Sequence, residues 1–157
     1  MAAALVTMVA RGSGTWADGP GVASQARALR TRLMTLGDDD AAAFEHVLAT
    51  MRDRTGTVER RDYALGAALV KAAEVPLQIA EAAADVAELA ALASSEGSSH
   101  LRPDATAAAI LAEAAVRAAT HLVEINLATV VGDNHSRQAG ILAAAAAAAR
   151  ERALGSV

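Results

Sequence analysis

The sequence predicts an all-α helical bundle of about six helices, and three observations predict it. Hydrophobic residues make up 54% of the 157-residue chain while aromatics make up 2%, so alanine, the strongest helix former, carries much of the apolar content. Uninterrupted alanine runs at 82–84 and 143–149 have few β-branched neighbours. Apolar residues recur at helical spacing in segments separated by glycine-, serine- and proline-bearing stretches.

The first helix is expected at 2–10 (AAALVTMVA), apolar on most of its surface and therefore buried. RGSGTWADGPG (11–21) carries four glycines and a proline and reads as a loop. A second helix over about 22–36 aligns Val22, Ala26, Leu29, Leu33 and Leu36, with Gly37 ending it. A third starts in the acidic cluster at 38–40, with Phe44, Val47, Leu48 and Met51 as its apolar face. RDRTGT (52–57) is a turn, with Thr57 as the N-cap of a long tract over 58–93. Pro76 inside that tract removes a backbone donor, which predicts a kink or break near 74–76. After a loop at 94–103, Asp104 caps a helix to Leu127 with Leu111, Ala115, Ala118, Leu122 and Ile125 as its stripe. A turn at 132–134 precedes a final alanine-rich helix ending near Ala153.

Composition narrows the function. Net charge is −4 and the basic residues are scattered, so no nucleic-acid partner is expected. The chain has no cysteine, which removes disulfides, thiolate metal sites and a thiol nucleophile. His46, His100, His121 and His135 lack zinc-site spacing, so no metal is expected. No stretch reads as a membrane span, and a cytoplasmic location is the expectation. Small facing residues yield little burial each, at about 25 cal/mol per Å², so packing against a second copy, a homodimer, is expected.

Four segments in order, AAALVTMVAR (2–11), DDDAAAFEHVLA (38–49), ALVKAAEVPLQIAEAAADVAELA (68–90) and PDATAAAILAEAAVRAATHLVEINL (103–127), carry a family resemblance. Together they resemble the cyclodeaminase/methenyltetrahydrofolate cyclohydrolase family, over nearly the whole chain. The resemblance implies an all-helical, dimeric enzyme of one-carbon metabolism. It would act without a cofactor on a tetrahydrofolate derivative, as a hydrolase opening the methenyl compound or as a lyase closing a formimino group and expelling ammonia. Either reaction needs a group that moves a proton. Three features depart from the family. A glycine-rich Pro-Gly-Gly-Gly-Ser stretch is missing ahead of the first helix, so the single domain, 1–157, is expected to be N-terminally truncated. The loop GSSHLRPD (97–104) keeps only Gly97 and Asp104 of the family pattern, and Leu122 stands where an asparagine is usual.

Asp40 matches the acid four residues before the phenylalanine and by resemblance is the catalytic carboxylate. Spacing puts it on one helix face with Phe44, whereas Asp38 and Asp39 read as acids favoured by a helix N-terminus. Substrate-binding candidates are Lys71, Asp104, Asn126 and His100. Lys71 is either a carboxylate partner or a cation reaching solvent from an apolar face. Asp104 suits a pterin amino group or a helix cap. Asn126, in an apolar run, needs either a ligand or a capping role. His100 is either a replacement polar contact or a solvated loop residue. Glu81 and Glu113 are expected to pair with arginines between helices. The alternatives are a diverged member acting on another amidine or imine, and a non-catalytic helical dimerisation module.

Overall fold

A computed structural model describes residues 1–128 and 134–156, and among them every regular element is helical. Five α-helices follow in order: α1 (Ala2–Gly12), α2 (Gly19–Arg52), α3 (Val58–Glu96), α4 (Arg102–Asn126) and α5 (Asn134–Gly155). A 3₁₀ turn at Ser99–Leu101 joins α3 to α4. Of the turn expected at 132–134, residues 132 and 133 lie outside the described residues, and Asn134 already begins α5.

α3 is the central element and packs against each of the other four helices. Its buried positions are mostly alanine: Ala80, Ala83, Ala87 and Ala90 share one core with Ala108, Ala112 and Ala119 of α4 and Ala146, Ala149 and Ala153 of α5. Methyl-sized side chains let the helix axes approach at the short end of the usual 8–10 Å. Val6, Val86 and Val116 fill the remaining space and are fully buried.

The count is five rather than six because α2 runs unbroken through Gly37. A glycine stops a helix by adopting a positive φ, and Gly56, at +81°, is the one described glycine that does so. Gly37 stays helical, exposed, with nothing near its missing side chain. Residues 38–40 therefore lie in mid-helix, so the helix-start reading of Asp38 and Asp39 is corrected. Phe44 and Met51 are 61% and 53% exposed, so only Val47 and its partly buried neighbour Leu48 from the predicted face turn inward.

α3 also passes through its proline, which is fully buried. Pro76 has no N–H to give the carbonyl of Ala72, four residues earlier. The side-chain amide of Asn126, on α4, donates to that carbonyl at 3.1 Å and replaces the lost bond. Thr57 caps α3 as expected, its hydroxyl accepting from the Arg60 N–H at 3.3 Å. Asp104 does not cap α4. Leu101 holds that position and Asp104 lies in the first turn, where a carboxylate still meets the helix dipole favourably.

The face predicted to be buried on α4 is the wrong one. Leu111, Leu122 and Ile125 are 37%, 42% and 56% exposed, while Ala105, Ala108, Ala112, Val116, Ala119 and Val123 face the core. α1 likewise buries one stripe, Ala3, Val6, Val9 and Ala10, and leaves Met8 exposed. By length and hydropathy alone Ser99–Asn126 could cross a membrane, contrary to the sequence expectation, but half of its most apolar window is buried inside the bundle.

Polar groups tie the helices together. The Ser94 and Thr106 hydroxyls donate to the Ala153 carbonyl at 3.1 and 3.2 Å, satisfying an acceptor near the end of α5. Glu81 pairs with Arg32 at 3.5 Å, and the buried Glu113 with Arg150 at 3.7 Å, as expected of both glutamates. Glu113 also lies 3.9 Å from Arg117, one turn along α4.

Candidate functional site

The candidate residues fall at two ends of the bundle. At one end, α2 and α3 form a helical hairpin with a groove of about 290 Å³ between them. Its floor is alanine (Ala42, Ala43, Ala68, Ala72), and its polar lining comes from Asp39 and His46 on α2 and Lys71 and Glu74 on α3. Positions 39, 43 and 46 lie three or four apart, so an unbroken α2 presents them on one face. Lys71 and Glu74 are related in the same way on α3. Lys71 is exposed and also lines a second, more open depression beside Tyr63 and Glu74.

Asp40 is half-buried and adjoins Asp39, but Asp39 is the acid on the groove wall. Asn126 reaches this end too: through the Ala72 carbonyl it touches the residue next to Lys71. Its amide nitrogen serves the backbone that Pro76 leaves unsatisfied inside α3, a bridging bond to another helix rather than a cap on its own.

His100 and Asp104 sit at the other end of the bundle. The 22 residues from Asp104 to Asn126 amount to roughly 33 Å of helix rise. Within one chain, then, Asp40, Lys71 and Asn126 gather near one end while His100 and Asp104 do not join them. His100 is exposed in the 3₁₀ turn and Asp104 half-buried. The turn is anchored to the C-terminus of α1: Ser13, buried, accepts from the Ser98 N–H at 2.8 Å and donates to the Val9 carbonyl at 2.8 Å. Gly97 lies so close that a β-carbon there would come within 2.5 Å of the Ala93 carbonyl oxygen and 3.1 Å of the Ser13 hydroxyl.

Sequence reasoning passed over Asp39, His46 and Glu74. The usable signal was the three-and-four spacing of Asp39, Ala43 and His46, which becomes visible only when Gly37 is read as helix interior. Among the described residues no cluster of His, Asp and Glu is suited to hold a metal ion.

An alanine-walled groove holding an acid, an imidazole, an ammonium and a second carboxylate is equipped for proton transfer on a small molecule. The sequence model of the formiminotransferase-cyclodeaminase family matches residues 1–140, and the chain belongs to that family. Among solved structures, the crystal structure of formiminotetrahydrofolate cyclodeaminase from Thermotoga maritima superposes with a TM-score of 0.87. The two chains are 24% identical, and the match covers 99% of this chain and 81% of that one, a likeness that establishes the fold. No curated protein matches the chain.

Proposed function

We propose that the protein is a folate one-carbon enzyme that hydrolyses 5,10-methenyltetrahydrofolate to 10-formyltetrahydrofolate, or closes formiminotetrahydrofolate with loss of ammonia. Membership of the formiminotransferase-cyclodeaminase family is the observation that carries this reading. A cytoplasmic location and the absence of a resident cofactor accompany it.

In the hydrolysis, water adds to the cationic methenyl carbon, and the tetrahedral adduct collapses as the bond to N5 breaks. The attacking water gives up both its protons, one delivered to N5 and the other released to solvent as the substrate's positive charge is lost. In the cyclodeamination, N10 attacks the formimino carbon, loses its proton, and the leaving nitrogen departs protonated as ammonia. A carboxylate that accepts one proton and returns the other serves both reactions. Asp40 is assigned that role, with Asp39 beside it lining the groove. Lys71 is assigned to a substrate carboxylate or to charge that develops during the reaction. Asp104 and His100 are assigned to substrate polar groups, and Asn126 holds α3 and α4 in register behind the groove.

The separation of Asp104 from Lys71 along the bundle bears on assembly. Phe44, Met51 and Tyr63 on the α2–α3 hairpin and Leu122 and Ile125 on α4 form exposed apolar surface, as surfaces that pack against another chain do. A homodimer that laid one end of the bundle against the other end of its partner would unite the two groups of residues. The same separation is what a non-catalytic dimerisation module would show, and one experiment decides between them. Methenyltetrahydrofolate is followed by absorbance, both its decay, corrected for spontaneous hydrolysis, and its formation from formiminotetrahydrofolate, for the native chain and the Asp40→Asn, Asp39→Asn and Asp104→Asn variants. The enzymatic reading predicts turnover by the native chain and a drop of about 10²–10⁴-fold in kcat for Asp40→Asn. No turnover of either folate by the native chain supports the module.

A further inference from the structure

A second cleft, of about 350 Å³, lies where α1 ends and α2 begins, on the end of the bundle that carries His100 and Asp104. Arg11 and Arg27 are its charged lining residues, and Trp16, Ser13, Gly14 and Pro20 line it with them. Among the described residues neither guanidinium has an ion-pair or hydrogen-bond partner, and both side chains are exposed. Other charged groups are paired: Glu113 is held by Arg150 and Arg117, Glu81 by Arg32 and Gln138. Arg11 alone would be a cation favoured by the C-terminus of α1. Arg27 lies in the first third of α2, where no such end effect operates.

Two unpaired guanidiniums lining one cleft repel one another unless an anion sits between them. The guanidinium fork matches a carboxylate bidentately. Trp16 is half-buried, packed on Val9, Ala93 and Ala105, and so offers a rigid aromatic wall beside that charge. Its volume falls within the ~300–1,000 Å³ of small-molecule sites.

We propose that the Arg11–Arg27–Trp16 cleft is a subsite for an aryl-carboxylate, and specifically for the aminobenzoyl-glutamate tail of the folate. The aryl ring lies against Trp16 and the glutamate carboxylates meet the two guanidiniums. The choice of ligand rests on the functional reading above; the cleft and its unpaired charges do not. Ser13 couples the subsite to the rest of this end, because the same hydroxyl that borders the cleft accepts the Ser98 N–H of the turn bearing His100.

Trp16 is the only tryptophan in the chain, so its fluorescence reports on this cleft directly. The probe is p-aminobenzoylglutamate, titrated at constant ionic strength beside inorganic phosphate and beside p-aminobenzamide, which lacks the carboxylates. The expected result is saturable quenching by the aryl-glutamate alone, weakened at least tenfold in Arg27→Ala and in Arg11→Ala and partly restored in Arg27→Lys. Urea unfolding of each variant, unchanged because both side chains are exposed, separates lost binding from lost folding. Quenching by phosphate to the same extent, or no saturable quenching at all, overturns the proposal. Folate turnover is read in parallel. Arginine-dependent quenching without turnover leaves the subsite standing and removes the folate reading. Turnover with a KM unmoved by Arg27→Ala, and no quenching, leaves the enzyme and removes the subsite.

Discussion

Asn126 and Pro76 form one unit although they lie on different helices. The proline takes a donor away from the Ala72 carbonyl and the asparagine supplies one, which keeps a buried proline compatible with an unbroken helix. Asn126→Ala is expected to lower stability by about 1–3 kcal/mol, the cost of leaving a buried acceptor unsatisfied. In a Pro76→Ala background the backbone N–H returns, so the same substitution should then cost far less. A double-mutant cycle in urea reads the difference, and additive costs would refute the coupling. The Asp53 carboxylate accepts from the Thr55 N–H at 2.8 Å, and that bond, with lesser help from Arg60 and Arg61, holds its pKa below the usual 3.8. A lowered carboxyl pKa contributes stability that is present above the unfolded value and is lost as pH falls through the folded one. Asp53→Asn should therefore destabilise the turn at neutral pH and have no effect in strong acid, as thermal melts across that range would show. At this scale Thr57 and the interhelical pairing of Glu81 and Glu113 were legible from residue type and spacing. The partner of Asn126 was not, because nothing local links position 126 to the carbonyl at 72.

At the scale of elements, the instructive case is α2. A glycine followed by three acids has the local chemistry of a helix stop and a new start, and local chemistry pointed to two helices. Packing against α1 and α3 carries the helix through instead, at the roughly 1 kcal/mol that an interior glycine costs relative to alanine. With helical geometry and open space around it, Gly37→Ala should stabilise the protein by about 0.5–1 kcal/mol, visible as a higher Tm. A lower Tm would mean that α2 bends or opens there in solution. The consequence for the site is direct: a continuous α2 puts Asp39, Ala43 and His46 in line on the groove, which a broken one would not. On α4 the apolar stripe was misplaced for a different reason. Both faces are apolar, and side-chain size favours Leu111, Leu122 and Ile125 over the alanines that in fact pack. In an alanine core the bulkier aliphatic residues can be the ones left outside.

For the whole molecule, that inversion sets up the question of assembly. The bundle buries small side chains and exposes Met34, Phe44, Met51, Tyr63 and Ile125, at 65%, 61%, 53%, 81% and 56%. A chain that exposes this much apolar surface is expected to form a dimer, and light scattering at micromolar concentration should give twice the chain mass. Phe44→Asp, on the exposed face of the hairpin, should shift it toward the monomer and take activity with it if the two ends of the bundle complete one another across the interface. The all-α class was legible because alanine content and periodicity are properties of whole segments. The site was only half legible, because Asp104 is separated from Asp40 and Lys71 by the length of the bundle and their relation depends on packing that sequence spacing does not encode. Catalysis by Asp40 is tested most directly by methenyltetrahydrofolate decay with the native chain and with Asp40→Asn. Catalysed hydrolysis by the first and a loss of about 10²–10⁴-fold in the second are expected. Hydrolysis by Asp40→Asn at the native rate would contradict that role.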